Sequence, residues 1–531
     1  MAYVITQNCC KDASCVPVCP VDCIRPADGA KAGSMLFIDP ESCIDCGACL
    51  DECPVDAIHY DEDLPPHLER FKDINAAYFA RHPLEPDATP ARRSRSAVAQ
   101  GALRVAIVGA GPAACYAAAG LIDVDGVEVD LFERLPTPFG LIRAGVAPDH
   151  LHTKSVTNVF DHVFTSKQFG CHLNVEVGRD VTHDDLLAHH HAVIYAFGAA
   201  TSRTLGIPGE ELPGSHAAAD FVGWYNGHPD HAARGFDLSS SRAVIIGNGN
   251  VALDAARVLL MGPDALADTD AADHALDALR HSAIEEVVIL GRRGLRDAAF
   301  SVGEFLALGH LDGVDVVIEP GDVPDQADDD VEASFTLEIA GEYARRAPTP
   351  GNKRIVFRFN VTPVEVIGAE RAEGLRLRSG EVLDAGLVLR SIGYRGAPMP
   401  GLAFDDANGV IPNDGGRVHD GFGNPVPGVY VTGWIKRGPR GVIGTNRACA
   451  EETVGALWDD FAAGLLDRAV EDRDALQALL TARGARPIPW RGWRAIDEAE
   501  RARGAAASRP RVKIVAVADM LSAARPQSVP T

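Results

Sequence analysis

The sequence predicts a small cysteine-rich α+β unit followed by two α/β Rossmann-like dinucleotide-binding domains, the first interrupted by the second. Three observations carry this. Nine of the twelve cysteines (Cys9, Cys10, Cys15, Cys19, Cys23, Cys43, Cys46, Cys49 and Cys53) fall in the first 53 residues. Two segments begin alike, LRVAIVGAGPAACYAA at Leu103 and RAVIIGNGNVALDAA at Arg242. Around them, short β-branched runs alternate with Gly-rich turns and Ala/Leu-rich helical stretches, the pattern of α/β units.

The expected boundaries are a cysteine unit at 1–62, a linker at 63–100, the first nucleotide domain at 101–210, the second at 211–390, a return to the first at 391–465, and a C-terminal extension at 466–531 of unreadable role. The linker holds five prolines between Asp61 and Gln100, then Arg92-Arg93-Ser94-Arg95. Within it, Leu68, Phe71, Ile74, Tyr78 and Phe79 recur at near-helical spacing and could dock a short helix on a neighbouring domain.

At 531 residues the chain exceeds one ordinary core. With 46% hydrophobic and 23% charged residues, it lacks any apolar run near the ~20 residues of a membrane span, so no membrane insertion is expected. MAYVITQNCC reads as neither signal nor transit peptide, which leaves the cytoplasm as the expected location. Fifty basic against 74 acidic side chains give a net charge of -24, which argues against nucleic acid as a partner.

Cys43, Cys46, Cys49 and Cys53-Pro54 form C-x2-C-x2-C-x3-C-P, in which three thiolates grip one cubane and the fourth reaches a second cluster. The first half repeats this with one change: Cys9, Asp12, Cys15 and Cys19-Pro20 put an aspartate where a thiolate belongs. Spacing assigns Cys19, Cys43, Cys46 and Cys49 to a 4Fe-4S cluster, and Cys9, Cys15 and Cys53 to the other, with Asp12 a possible ligand. A carboxylate is a harder donor than a thiolate, so the second cluster is 4Fe-4S or, with its fourth iron lost, 3Fe-4S. Zinc and plain disulfides compete poorly, since zinc sites seldom interleave fours ending in Cys-Pro. Cys10 and Cys23 read as packed thiols, although Cys10 could replace Cys9. Residues 1–62 resemble a bacterial two-cluster, seven- or eight-iron ferredoxin; their 3 basic and 11 acidic side chains suit docking on basic surfaces.

In the first nucleotide site, Gly109 and Gly111 permit the tight turn and backbone approach to a pyrophosphate seated on the helix that follows. Glu133, ending the next strand, is placed for a ribose hydroxyl pair. ERLPTPFGLIRAGVAPDH (133–150), NVEVGRD (174–180), LPGSHAAADFVGWYNG (212–227) and GWIKRGPRGVIGTN (433–446) make residues 101 to about 500 resemble ferredoxin-NADP reductases of the adrenodoxin-reductase type. That resemblance implies FAD contacts at Gly109, Gly111, Ala113, Glu133, Leu141, Val177, Trp434, Gly441, Val442 and Ile443.

The second site, Gly247-Asn248-Gly249-Asn250-Val251, lies between a strand and a helix. After the next strand, Arg292-Arg293 stand where an NAD site would present an acid, and two guanidiniums answer a 2'-phosphate. NADP is therefore expected, and the resemblance adds Glu304 at the adenosine end and Gly441 among its contacts. It also implies His150, Asp254 and Trp434 near nicotinamide and flavin, as orienting and proton-handling residues.

The function implied is an NADPH-dependent ferredoxin-NADP reductase. FAD takes the hydride and hands single electrons to the fused clusters, and onward to an acceptor protein such as a ferredoxin or an oxygenase. Alternatively, the N-terminal unit is a structural or docking module and the flavoprotein serves a separate ferredoxin. His189-His190-His191 reads as a solvated loop, because adjacent side chains diverge. Cys115, Cys171 and Cys449 read as buried thiols. Lys436, Arg437 and Arg440 either dock the acidic unit or form a solvated face.

Overall fold

Six successive buried residues, Leu103–Val108, form an interior strand of a seven-stranded sheet in the computed structural model, which describes residues 2–26, 35–84, 95–324 and 330–525. A strand covered on both faces has to be continuously apolar, as this one nearly is. It pairs in parallel with Val127–Glu133 and Ala192–Tyr195. Phe169–Leu173 extends the sheet on one side and Pro425–Val431 on the other, both in parallel. The chain therefore leaves this sheet after Tyr195 and rejoins it more than two hundred residues later.

In between lies a six-stranded, all-parallel sheet. Its spatial order is Ser215–Ala217, Leu387–Arg390, Arg242–Ile246, Glu286–Leu290, Lys353–Arg358 and Val314–Ile318. An antiparallel link between Thr201–Ser202 and Tyr394–Arg395 marks where the chain crosses between the two domains.

The N-terminal unit is two small antiparallel pairs, Tyr3–Ile5 with Ile58–Tyr60 and Ile24–Pro26 with Leu36–Ile38. Part of the stretch expected as a linker is a twelve-residue helix, Arg70–Arg81. Leu68, Phe71, Ile74, Tyr78 and Phe79 are all buried, so the near-helical spacing marked a real docking face. Asn75 on this helix ties both strand pairs together: its Nδ2 donates to Ile5 O and its Oδ1 accepts from Ile38 N, each at 2.9 Å. Arg70 reaches the second nucleotide domain, pairing with Glu338 and Glu342 at 2.7 and 2.8 Å on helix Val331–Arg345. The helix is thus a bracket that shares one apolar core with the N-terminal unit and the second domain. Arg92, Arg93 and Ser94 of the expected linker lie outside the described residues.

The C-terminal stretch forms helices Arg473–Ala482, Trp490–Ala506 and Val517–Ala523. Glu500 is fully buried against Arg143 of the first domain at 2.6 Å. Burial alone would raise its pKa, but the Arg143 and Arg511 guanidiniums outweigh that and hold the carboxyl below its ordinary value. Asp270 of the second domain accepts from Lys154 at 2.6 Å and from Lys513 of the tail at 3.1 Å. The tail therefore clasps both domains through desolvated charge pairs. Replacing Glu500 by Ala leaves Arg143 charged and buried, which is expected to cost about 3–5 kcal/mol. Arg143 lies over the Trp493 ring, so tryptophan fluorescence should report the lowered unfolding midpoint.

Candidate functional site

Two small cavities open inside the N-terminal unit. One is lined by Cys19, Cys43, Cys46 and Cys49, with Cys23 beside them. The other is lined by Cys9, Cys15 and Cys53, with Cys10 and Asp12. The chain thus brings together the two sets that the spacing separates, the fourth cysteine of each run crossing to the other cavity.

Burial pushes the Cys9 and Cys49 thiols up to about 11 and the Cys15 thiol higher still, so none would ionise at neutral pH unaided. A cationic iron-sulfur group supplies the charge that makes such thiolates stable. Among the described residues, the group near enough to share a single ion is His150, Asp254 and Glu304, with no cysteine in it. Thiolates spread around a larger cluster fit this spacing; four ligands closing on one zinc do not. The second cavity offers three thiolates and Asp12, and Cys10 lines it beside Cys9.

In the first α/β domain, Gly109 turns the chain at φ +104, where a Cβ would lie 2.7 Å from Ala196 O. Gly111 opens helix Pro112–Ile122, and a Cβ there would meet nothing within 4 Å, leaving room for a phosphate at the helix start. Glu133 accepts from Ala110 N at 3.0 Å and Leu135 N at 2.9 Å. Ala113 and Val177 are buried, while Leu141 is 40% exposed. Trp434, on the return segment, has a buried Nε1 without a partner among the described residues and stands 5.6 Å from the Tyr394 ring. An orphaned indole donor beside this glycine loop fits a bound group with acceptor atoms. Gly441, Val442 and Ile443 lead into helix Thr445–Ala462.

In the second domain, Gly247 turns at φ +110, and Gly249 precedes helix Asn250–Leu260, which carries Val251 in its first turn. Asn250 Oδ1 accepts from Ser301 N at 2.8 Å, and Asn248 O from Ala299 N at 3.3 Å. Arg292 and Arg293 project from the end of strand Glu286–Leu290, both exposed. Arg293 is paired with Asp297 at 3.1 Å.

The polar centre of the molecule is a residue that sequence reasoning missed. Arg257, 4% exposed, donates through Nη2 to His150 Nε2 and Asp254 Oδ1, both at 2.8 Å, and through Nη1 to Glu304 Oε2 at 3.3 Å. Its Nε donates to Asp149 Oδ2 at 2.6 Å. The signal was available: Arg257 is one turn beyond Asp254 on an otherwise apolar helix. The separation expected between Glu304 at the adenosine end and His150 with Asp254 at the nicotinamide is absent, because the guanidinium gathers all three. Burial raises the Asp254 pKa to about 6, against the opposing pull of Arg257 and His150. Burial and the Arg257 charge lower that of His150, so its ring is neutral and Nε2 is free to accept.

The solvated loop expected at His189-His190-His191 is a correction: all three are buried. His190 Nδ1 bonds Leu186 O at 2.9 Å, its Nε2 lies 3.4 Å from Asp130, and His191 Nδ1 accepts from Arg104 N at 2.9 Å. Helix and interior-strand backbone and one buried carboxylate partner the His190 and His191 rings, a context that the divergence of neighbouring side chains does not reveal. Cys115 and Cys449 are buried thiols, whereas Cys171 is only partly so. Lys436 and Arg437 neither dock the acidic unit nor form a solvated face. Lys436 pairs with Glu452 at 2.6 Å, and Arg437 bonds Asn446 and the Arg440 carbonyl. Arg440 alone of the three is exposed.

Paired dinucleotide-binding sheets carrying a cysteine-lined cluster unit define a pyridine-nucleotide-dependent oxidoreductase with an iron-sulfur domain. Residues 103–293 match the pyridine nucleotide-disulphide oxidoreductase family, and residues 36–59 the 4Fe-4S binding domain family. The latter match covers the second cysteine run and not the first, where Asp12 stands. The probable ferredoxin/ferredoxin–NADP reductase of Mycobacterium tuberculosis is 50% identical over 99% of this chain and 95% of its own. NADPH-ferredoxin reductase FprA of the same organism is 45% identical over 78% of this chain and 98% of its own. The solved structure of Mycobacterium tuberculosis FprA in complex with NADPH matches with a TM-score of 0.75 at 46% identity, covering 80% of this chain and 99% of that one. The chain belongs to the ferredoxin/ferredoxin–NADP reductase family.

Arg292→Ala combined with Arg293→Ala should raise the Michaelis constant for NADPH far more than for NADH; equal effects would refute the phosphate assignment. Asp254 ionises near pH 6, and its carboxylate anchors Arg257, so stopped-flow flavin reduction by NADPH should slow as pH falls through 6. Asp254→Asn should flatten that limb. Because the folded-state pKa lies above the ordinary 3.8, protonation in this window stabilises the fold, so the lost rate is not acid unfolding at this residue.

Proposed function

We propose that the chain oxidises NADPH and delivers its electrons singly along a fixed order: flavin, then the cluster of Cys9, Cys15 and Cys53, then that of Cys19, Cys43, Cys46 and Cys49, then an external acceptor protein. FAD is assigned to Gly109, Gly111, Ala113, Glu133, Leu141, Val177, Trp434, Gly441, Val442 and Ile443. NADP is assigned to Asn248, Gly249, Asn250, Val251, Arg292, Arg293, Glu304 and Gly441. When bound, the flavin supplies the exchange between hydride and single-electron chemistry. His150, Asp254 and Trp434 orient the reacting rings, with Arg257 holding the first two.

The observation that carries this order is the hydrogen bond from Gly444 N to Cys10 O at 2.7 Å, which seats one cluster loop on the segment assigned to flavin. Ser155 Oγ adds a bond to Pro54 O at 2.6 Å beside Cys53, and Cys10, Val55 and Ala57 share the first domain's core. The other cluster faces outward: Cys46 is exposed, with Ile44 57%, Leu50 39% and Val21 38% exposed near it. An apolar patch on a unit of net charge -8 (3 minus 11) suits an acceptor with a basic rim around an apolar contact. No helix among the described residues is long and apolar enough to cross a membrane, and the cytoplasm is the proposed location.

Gly444→Ala tests the order. Its backbone, at φ -66, accepts alanine, but the added Cβ would fall on Lys11 O and Asp12 N. The cluster loop must retreat. In anaerobic stopped flow with NADPH, cluster bleaching after flavin reduction should slow about tenfold, equivalent to about 1.4 kcal/mol of barrier. Bleaching at the wild-type rate would reject this contact as the entry point.

A further inference from the structure

The residue standing in for the missing thiolate is already engaged, and by the flavoprotein rather than by its own loop alone. Asp12 is 3% exposed. Its Oδ2 accepts from Tyr116 Oη at 2.5 Å, and its Oδ1 is bonded to the Ser14 hydroxyl and, at 3.2 Å, to Ser14 N. Arg447 Nη1 donates to the Asp12 carbonyl at 2.6 Å and stands 4.0 Å from Oδ1. Tyr116 belongs to helix Pro112–Ile122 and Arg447 to helix Thr445–Ala462, the two helices packed together over the first nucleotide site. The Tyr116 ring is 8% exposed and braced edge-on by Phe160 at 4.9 Å. On either side of Asp12 the backbone is left-handed, at Lys11 (φ 59) and Ala13 (φ 63). Both carboxylate oxygens and the main chain are therefore held by partners that do not ligate iron.

We propose that Tyr116 is a positioning residue that withholds the Asp12 carboxylate from the flavin-facing cluster, so that this cluster is kept as 3Fe-4S. The reductase domain thereby sets the iron content of its own first electron acceptor. This rests on the proposed second cluster and goes beyond the aspartate's intrinsic hardness, which leaves both nuclearities open. Conversion to 4Fe-4S requires a ferrous ion. It binds three sulfides of the reduced three-iron cluster and one Asp12 oxygen, bringing two positive charges while no electron changes hands. The Tyr116–Asp12 hydrogen bond breaks as the Fe–O bond forms, and the phenol is left buried without an acceptor.

The experiment is iron analysis per chain and EPR on the purified full-length holoenzyme, before and after anaerobic treatment with dithionite and ferrous ion, the treated sample being desalted and reoxidised with a mild oxidant before its spectrum is taken. Wild type should hold about seven irons, three plus four, and keep the oxidised three-iron signal through the treatment. Tyr116→Phe should gain the eighth iron and lose that signal, with flavin absorption retained as proof of folding. Asp12→Cys, which completes the thiolate set, should hold about eight irons without treatment. An eighth iron in wild type, a three-iron signal that survives treatment in Tyr116→Phe, or a three-iron Asp12→Cys would each overturn the inference alone. About four irons in wild type would strike down the second cluster as well.

Discussion

The close approach of the loop at residues 9–12 to the segment at residues 441–447 is the constraint on which the other features depend. There the main chains of two folding units touch with no side chain between them, because position 444 has none to interpose. A dinucleotide sheet and a cysteine unit could each fold without this contact, and neither would then present a cofactor to the other. The seam converts two binding modules into one path. It is held by Arg447 and Tyr116 on the unit's backbone and carboxylate, and by apolar residues of both units that share a core.

A second constraint is electrostatic. Arg257 is desolvated, and three carboxylates with one neutral imidazole surround it. Burying one cation among several acids is tolerable only when every donor is used, and Arg257 satisfies His150, Asp149, Asp254 and Glu304 together. Burial, helped by the neighbouring Glu304 and Asp149, explains why Asp254 binds its proton more tightly than usual, while burial and the Arg257 charge keep His150 uncharged against the pull of the acids. A group that exchanges protons near neutrality and a ring fixed by a guanidinium are suited to positioning a substrate, and neither has the geometry of a nucleophile activated by a base.

What was legible in the sequence is what short-range pattern can encode. The cysteine runs specify their sorting into two cavities because ligand spacing is local and the crossing of the fourth cysteine is built into the motif. Both glycine turns were legible for the same reason, since a strand, a tight turn and a helix start lie within a dozen residues. Arg257 was missed because its partners, Asp149, His150 and Glu304, come from segments more than forty residues away. The histidine run was misread because burial depends on which strand covers it. The charged, Ala-rich tail showed no role, since Glu500 and Lys513 are meaningful only opposite Arg143 and Asp270. The helix at Arg70–Arg81 lay between these cases: its apolar spacing was visible, its two-sided grip was not.

That grip bears on how the parts cooperate. Two nucleotide domains joined by a short antiparallel link would ordinarily be free to rotate against each other, the default where an interface is small and polar. Here the cysteine unit leans on both, on the first through Gly444 and Arg447 and on the second through the helix that carries Arg70. At Gly303 of helix Val302–Leu308 in the second domain, a Cβ would come within 2.8 Å of Gln7 Cβ. The C-terminal tail makes a second bridge through Glu500 and Lys513. A rotation large enough to part the nucleotide sites would have to break buried ion pairs in the tail and expose the apolar core beneath helix Arg70–Arg81. Positional constraint lowers a barrier only if the reacting groups stay put between turnovers. The fused cluster unit is therefore a brace as well as an electron carrier, and the geometry that seats it on the segment proposed for flavin also holds the two nucleotide domains in register.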